Sequence, residues 1–465
     1  MPKTKNVPSS APSLPREIPA PDYIEVVWEH LTDAVCNEVF AATRDRERQR
    51  KWTLFSLLRM WMGLLQSGLA SQTEAVGECD GNHPLFPQVE ASPESFFQRV
   101  QSLRPAFFRN IFLHFTQAVE PEFGSEFQKE LGISEKEFPH IYAIDGSRLA
   151  QVGRLLKVAR TTTKVILPGS LEAVYDLRGG FLKELWFDPD GAKAEILMFE
   201  KVLKALPAGS LTVNDRYYPK PVIWEMLQAA GVWMVSRYNK TVKKRKKKVL
   251  KKIRHAKIAV DDWIVEMGGS AYGSSPVTLR WVHVWNSEFD IILITNVLEP
   301  ERLSVDQLLG LYRQRWMIER MYLHLKDVLA LNRLFNASPS AVGQQVYATA
   351  ILYNALRLSQ VQVARRLKVP PERLSPDKLF PQLIERFLRI TWMMAGLDWR
   401  YPNASEVQWR ERQRELMKHP GMRLSVKGLL VQKRLGKRKQ RRFCQGRKSW
   451  TTYRKIPGGQ KYLQN

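Results

Sequence analysis

The chain is predicted to fold as an α/β protein with helical flanks and a β-rich interruption, and three observations predict it. Between Pro139 and Arg237 strand-like and helix-like segments follow one another as β-β-β-α-β-α-β, the order of a sheet that buries its faces beneath helices. From Tyr23 to about Lys136, apolar residues recur at helical spacing. From Tyr238 to about Pro300 strand-like pieces interrupt the α/β order, and helical spacing then resumes to about Leu397.

The elements can be justified in turn. Residues 1–21 hold six prolines with Ser and Lys, and a flexible leader is expected there. Thr53–Leu69 (TLFSLLRMWMGLLQSGL) has helical apolar spacing. A second helix is expected from Ser92-Pro93, with Ser as N-cap, Pro at the first helical position, and Phe96, Phe97, Val100 and Leu103 on one side. A third spans Ala106–Val119, and Arg44–Lys51 adds a basic approach. Pro139–Leu149 (PHIYAIDGSRL) reads as a buried strand ending in a polar turn. Ser170–Asp176 and Phe181–Phe187 alternate like strands around the hairpin signal Gly179-Gly180. Ala192–Leu206 is helix-like, Ser210–Asn214 a strand ending at Asp215, Val222–Ala230 a helix and Val232–Arg237 a strand. Within the interruption, Trp263–Met267, Val277–Trp285 and Asp290–Val297 are strand-like. One long helix is expected from about Ser304 to Leu331, and there is no internal repeat.

At 465 residues, and roughly 100–200 residues per domain, two to four domains are expected. Lys plus Arg number 72 against 46 Asp plus Glu, a net charge of +26. That balance argues against an ordinary metabolic enzyme and for a polyanionic partner. The charge is concentrated. Lys240–Lys257 holds eleven basic residues and no acid, Gly421–Asn465 holds fourteen and no acid, and together they supply 25 of the 26 net charges. Each run reads either as a solvated, disordered segment or as a grip on phosphates, and the two are compatible.

Other classes are excluded. Cys36, Cys79 and Cys444 are odd in number and widely spaced, so neither a disulfide framework nor a Cys-based zinc site is expected, and a reducing, cytoplasmic setting fits. No signal peptide is visible, and apolar windows such as Leu57–Ala70 and Val346–Leu358 are interrupted well before about 18 residues, so no membrane association is expected. The eight His form no H-E-x-x-H, and no G-x-x-x-x-G-K-[ST] occurs, which excludes a zinc hydrolase and P-loop energy coupling.

Three acids stand where chemistry would use them. Asp145 ends the first strand, Asp215 ends the fourth, and Glu319 lies in the long helix. Carboxylates so placed can converge at one sheet edge, and oxygen ligands suit Mg²⁺. With Tyr312 at 0° and about 100° per residue, Arg315 falls at about −60°, Glu319 at about −20° and Lys326 at about −40°. Met317, Ile318, Met321, Leu325, Val328 and Leu329 fall on the opposite side. An ordinary amphipathic helix also presents a polar stripe, so this geometry alone leaves function open.

Tyr312-x-x-Arg315-x-x-x-Glu319-x6-Lys326 matches the Y-(2)-R-(3)-E-(6)-K signature of bacterial insertion-sequence DDE transposases of the IS-four type. Asp145-Gly146-Ser147 resembles that family's first acidic motif, and Asp215-Arg216-Tyr217 its second. The resemblance covers roughly residues 40 to 400. It implies an RNase H-like catalytic core in two parts, 137–237 and, with further helices, 303–400. A β-strand insertion domain (238–302) lies between them, a helical DNA-binding domain (22–136) precedes them, and a basic region (401–465) follows. The 103 residues between Asp215 and Glu319 are too many for one helix and one strand; the insertion accounts for the excess.

The resemblance further implies that Asp145, Asp215 and Glu319 are the catalytic, metal-binding triad for two Mg²⁺ ions, with Mn²⁺ as a substitute. Two metals about 3.5–4 Å apart stabilise the attacking and leaving oxygens of a phosphoryl displacement. The implied reaction is cut-and-paste transposition: hydrolysis at a transposon end, then attack by the freed 3′-OH, through a hairpin in relatives of this type. Tyr312, Arg315 and Lys326 resemble residues that hold terminal phosphates, and Arg216 adds a cation beside Asp215. Trp263, Trp281 and Trp285 are candidates for holding a flipped base, with Trp285 preferred because it ends a strand beside Asn286-Ser287. Lys244, Arg245, Lys246, Lys247 and Lys248 are expected to grip DNA backbone. The expected partners are the double-stranded terminal inverted repeats, target DNA and a second copy in a DNA-bound dimer, in a bacterial, nucleoid-associated setting. Two other readings stay open: a catalytically silent, transposase-derived DNA-binding regulator, which would bind without nicking, and a Mg²⁺ nuclease that cuts but never joins.

Overall fold

The computed structural model describes residues 14–42, 50–79, 83–124, 131–149, 169–190, 195–240, 242–255, 258–269, 274–287, 289–336, 338–400 and 406–431. The chain divides into two compact units, one from residues 1–126 with 323–431 and one from 127–322 with 432–465. The basic tail from 432 onward, the approach at 43–49 and the stretch 150–168 lie outside the described residues.

The first unit begins with a short strand β1 (Glu17–Pro19), followed by helices α1 (Tyr23–His30), α2 (Asp33–Ala41), α3 (Leu54–Ser67), α4 (Gln72–Gly77), α5 (Pro93–Ser102) and α6 (Pro105–Phe123). The cap expected at Ser92 forms, and Thr53 caps α3 in the same way. Thr53 Oγ1 accepts from Ser56 N at 3.0 Å, and Ser92 Oγ accepts from Ser95 N at 3.4 Å ahead of Pro93. Helix α3 ends at Gly68, whose φ of +76° is left-handed and costs glycine little.

The second unit holds strands β2 (Ile141–Arg148), β3 (Ser170–Asp176) and β4 (Phe181–Asp188), helix α7 (Glu195–Ala205), strand β5 (Leu211–Asn214), helix α8 (Pro221–Ala230) and strand β6 (Trp233–Arg237). Strands β7 (Lys244–His255), β8 (Ile258–Gly269), β9 (Ser274–Trp285) and β10 (Asp290–Thr295) and helices α9 (Val305–Gln314) and α10 (Trp316–Leu323) follow. All nine strands form one mixed sheet in the order β4-β3-β2-β5-β6-β10-β9-β8-β7. The meander β2-β3-β4 is antiparallel, whereas β5 runs parallel to β2 and β6 parallel to β5. Tyr142, Ile144, Val174, Phe199, Tyr218, Trp224 and Met234 form part of the core between α7, α8 and one sheet face.

The chain then returns to the first unit with α11 (Pro339–Leu367), α12 (Pro376–Arg400), α13 (Glu406–Met417), a strand β11 (Arg423–Ser425) and a short α14 (Val426–Leu429). Helix α11 is buried nearly all round and packs against α1, α3, α5, α6 and α12. Its buried amides are tied down. Trp61 Nε1 donates to Gln344 Oε1 at 3.0 Å, Gln344 Nε2 donates to the Val100 and Leu103 carbonyls, and Asn354 Nδ2 donates to Thr116 Oγ1.

Four expectations are corrected. Part of the leader is ordered: Ile18 is buried and pairs with Leu424 as β1 joins β11 in a two-stranded sheet. The helices of 22–136 do not close on themselves, because α11 supplies the centre of their core. The interruption is not a separate β-domain, since β10 pairs antiparallel with β6 and continues the sheet. The long helix from Ser304 breaks after Gln314, and at His324–Val328 it widens into a π-helical turn, which the uniform 100° step does not describe.

Candidate active site

Strand β2 is fully buried from Ile141 to Ile144 and becomes partly exposed at Asp145. Its parallel neighbour β5 pairs Ala143 with Val213. Two residues beyond that pair stand Asp145, still on β2, and Asp215, one residue past the end of β5, at the ends of neighbouring strands about 4.8 Å apart. Gly146 N donates to Asp145 Oδ1 at 3.0 Å, and Tyr217 N donates to Asp215 Oδ1 at 2.6 Å. The Asp145 carboxyl is pushed up to about 7. Burial is the main cause, the charges of Asp215 and Glu319 add to it, and Arg315 and the Gly146 amide oppose it. Three carboxylates therefore share one neighbourhood and repel one another there.

Helix α9 starts at a capping box in which Ser304 and Gln307 exchange backbone bonds. Beyond it, Arg315 reaches both acids, with Nη2 2.5 Å from Glu319 Oε1 and Nη1 3.8 Å from Asp145 Oδ2. Burial alone would lower the Arg315 guanidinium, but Tyr312, Glu319 and Asp145 together hold it above its ordinary value. Tyr312 has its hydroxyl raised by burial, with Arg315 and Arg237 lowering it and Asp215 raising it. Tyr312, Arg315, Asp145, Asp215 and Glu319 thus come together. Arg216 is exposed on the turn after Asp215.

The remaining candidates occupy the turn that follows α10 and the strands β7 and β9. Lys326 sits in the π-helical turn, within the helical unit, and burial lowers its ammonium while Asp327 acts the other way. Lys244–Lys248 are the start of β7, the outermost strand, which forms an edge whose register shifts between Lys246 and Lys248 and between Val249 and Lys251, where disorder was one expectation. Several of its cations lie on aromatic faces: Lys244 is 4.4 Å from the Trp281 ring centre, and Lys246 is 4.4 Å from that of Trp263. Lys247 pairs with Glu266 at 2.9 Å. Trp285 does end β9, but its ring is already engaged: His283 stacks on it at 4.1 Å, and Arg254 stands 4.8 Å from its centre.

Two residues at the site were missed. Tyr322 Oη donates to the Asp145 carbonyl at 2.8 Å and ties α10 to β2. The helical arithmetic places it at about −80°, beside Arg315, so that stripe could have revealed it. Tyr218, next to the second motif, donates to buried Glu172 at 2.7 Å; nothing in the local pattern marks that pairing.

Among the described residues no three Asp, Glu, His or Cys side chains are gathered tightly enough to enclose one ion. The donor set nonetheless fits a hard divalent cation, since all three groups are carboxylates and a guanidinium now balances two of them. No helix among the described residues is long and apolar enough to cross a membrane.

Residues 162–355 match the family model described as "Transposase DDE domain". The matched stretch holds Asp215, Tyr312, Arg315, Glu319 and Lys326 and begins after Asp145. Over 110 residues the chain is 36% identical to "Putative transposase for insertion sequence element IS4SA" of Synechocystis sp., covering 23% of this chain and 31% of that relative. Over 161 residues it is 27% identical to "Putative transposase y4zB" of Sinorhizobium fredii, covering 33% of this chain and 44% of that one. The chain therefore spans under half the length of these curated relatives. Among solved structures, a piggyBac transposase synaptic complex with hairpin DNA shares 11% identity over 86% of each chain at a TM-score of 0.37, a likeness that carries no argument.

Proposed function

The chain is a relative of the DDE transposases of bacterial insertion sequences, and from that premise we propose that it is a DNA transposase acting by cut-and-paste transposition. The observation that carries the reading is the convergence of Asp145, Asp215 and Glu319 around Arg315, on the motifs that define the resemblance. The sheet order supports an RNase H-like core: an antiparallel meander of three strands, then two strands parallel to the first, with β7–β10 as the insertion.

Asp145, Asp215 and Glu319 would hold two Mg²⁺ ions, or Mn²⁺ in their place, which when bound supply Lewis acidity to both oxygens of the displacement. Arg315 keeps the carboxylates close in the absence of DNA and offers its guanidinium to a terminal phosphate in its presence, a geometry that suits Arg. Tyr312 is held against Arg315 and borders the same space. Lys326 and Arg216 add cations for the backbone. Terminal-repeat recognition falls to the helices of residues 22–136, and a second copy joins in the paired-end complex.

A labelled transposon end incubated with the purified protein and Mg²⁺ tests this. Specific nicking at the end followed by joining to target DNA is the expected result. Binding without nicking would favour a silent regulator, and cut ends that never join would favour a nuclease.

Trp285 remains the residue proposed to hold a flipped base, and that base would compete with His283 and Arg254 for the indole. Base–aromatic stacking is worth about 1–3 kcal/mol, so Trp285→Ala should reduce hairpin formation at the end roughly ten-fold in a single-turnover assay. Unchanged hairpin yield would rule this tryptophan out.

A further inference from the structure

We propose that Glu172 is a positioning residue for Asp215, acting through Tyr218 from the opposite face of the sheet. This rests on the reading of Asp215 as one of the three carboxylates of the transposase site.

Strand β3 is buried along its whole length, and Glu172 has no exposure at all. Its partners across the strands are Gly146 on β2 and Trp186 on β4. Directly paired residues share a face and successive residues alternate. Asp145 pairs with Ala173, so Glu172 points away from Asp145, toward the face covered by α7 and α8. A carboxyl group in such a place costs stability unless it is hydrogen-bonded. An apolar side chain would suit packing better, so a specific bond is the reason to find Glu there. One such bond comes from Tyr218 Oη, at 2.7 Å.

Tyr218 lies three residues after Asp215, and it is the side chain that plugs this turn into the core. Arg216 is exposed and Tyr217 is 45% exposed, whereas Tyr218 is 2% exposed and packs on Phe199 at 5.2 Å between ring centres. Before the turn, Asn214 is fully buried, yet its amide makes no hydrogen bond among the described residues. The turn is therefore held to the core by Ser236, whose hydroxyl donates to the Asp215 carbonyl, and by the bond from Tyr218 to Glu172. Tyr218 N also donates to the Asp215 carbonyl at 3.4 Å, closing the turn on itself. The depth of the phenol sets the height of the turn, and the turn sets where the Asp215 carboxylate stands beside Asp145.

Tyr218→Phe keeps the ring and removes the bond; Glu172→Gln keeps an acceptor oxygen and removes the carboxyl group. Mn²⁺ binding is followed by electron paramagnetic resonance of the free ion in the full-length protein, alongside end cleavage and thermal melting. Tyr218→Phe should weaken Mn²⁺ binding roughly ten-fold, the change expected for one lost buried hydrogen bond, while the protein stays folded with its melting temperature lowered by only a few degrees. It should raise the Mn²⁺ concentration for half-maximal cleavage by the same factor. Glu172→Gln should stay within about two-fold of wild type, since the acceptor survives.

Wild-type Mn²⁺ affinity in Tyr218→Phe overturns the proposal, as does a Tyr218→Phe protein that fails to fold, because the bond would then serve the core. A Glu172→Gln protein as weak as Tyr218→Phe also overturns it. Asp215→Asn separates the two levels: if it too binds Mn²⁺ and cleaves normally, the reading of Asp215 falls, and if it alone is defective, only the role of Glu172 falls.

Discussion

Glu319→Gln should abolish strand cleavage at a transposon end, by roughly 10³-fold or more, while end binding measured by gel shift stays within about two-fold. The substitution is nearly isosteric and leaves the helix intact, so the loss reports charge and not fold. Asp145→Asn and Asp215→Asn should behave alike. Arg315 now balances Glu319 and Asp145. Removing one acid leaves the guanidinium partly unneutralised, so binding to phosphate should not weaken. Cleavage at the wild-type rate by any of the three variants would sink the triad assignment.

The second large effect is on stability. Arg280 and Asp262 are both buried in the sheet, at 0% and 1% exposure, and meet through three contacts of 2.7–3.2 Å. Arg280 Nη1 also donates to the Leu303 carbonyl at 2.6 Å, one residue before the cap of α9. Breaking such a pair strands a buried charge and costs about 3–5 kcal/mol. Urea denaturation of Asp262→Asn should therefore show a loss near that size. Replacing both partners, with Arg280→Met and Asp262→Leu, should recover most of it. If the single variant loses under about 1 kcal/mol, the pair is not the anchor that its geometry indicates.

Much of the candidate site was legible because it uses local signals. Asp145 and Asp215 stand where buried apolar runs give way to polar turns, and the strands of the first α/β segment fall within a residue or two of their expected bounds. Tyr312, Arg315 and Glu319 share a stripe despite the break after Gln314. From His324 the helix changes pitch, so the uniform step stops short of Lys326. Strand β7 was hidden for a different reason. Val249, Leu250 and Ile253 are too few to alternate, and the Lys side chains that look solvated lay themselves over Trp263 and Trp281, as long cationic side chains can. The pairing of β6 with β10 and of Tyr218 with Glu172 joins residues 46 or more positions apart, and no local pattern carries such information.

If DNA is gripped as proposed, the unbroken sheet turns strand count into a measure of distance along it. From β5, which carries Asp215 at its end, to the cationic edge strand β7 there are five steps in the sheet order, each of about 4.8 Å. The offset is thus about 24 Å, or about seven base pairs of duplex at 3.4 Å each. A duplex held at both places would be gripped at a set interval from its cut, whatever its sequence. Adding or deleting base pairs between the two would shift the grip and leave the scissile phosphate out of register.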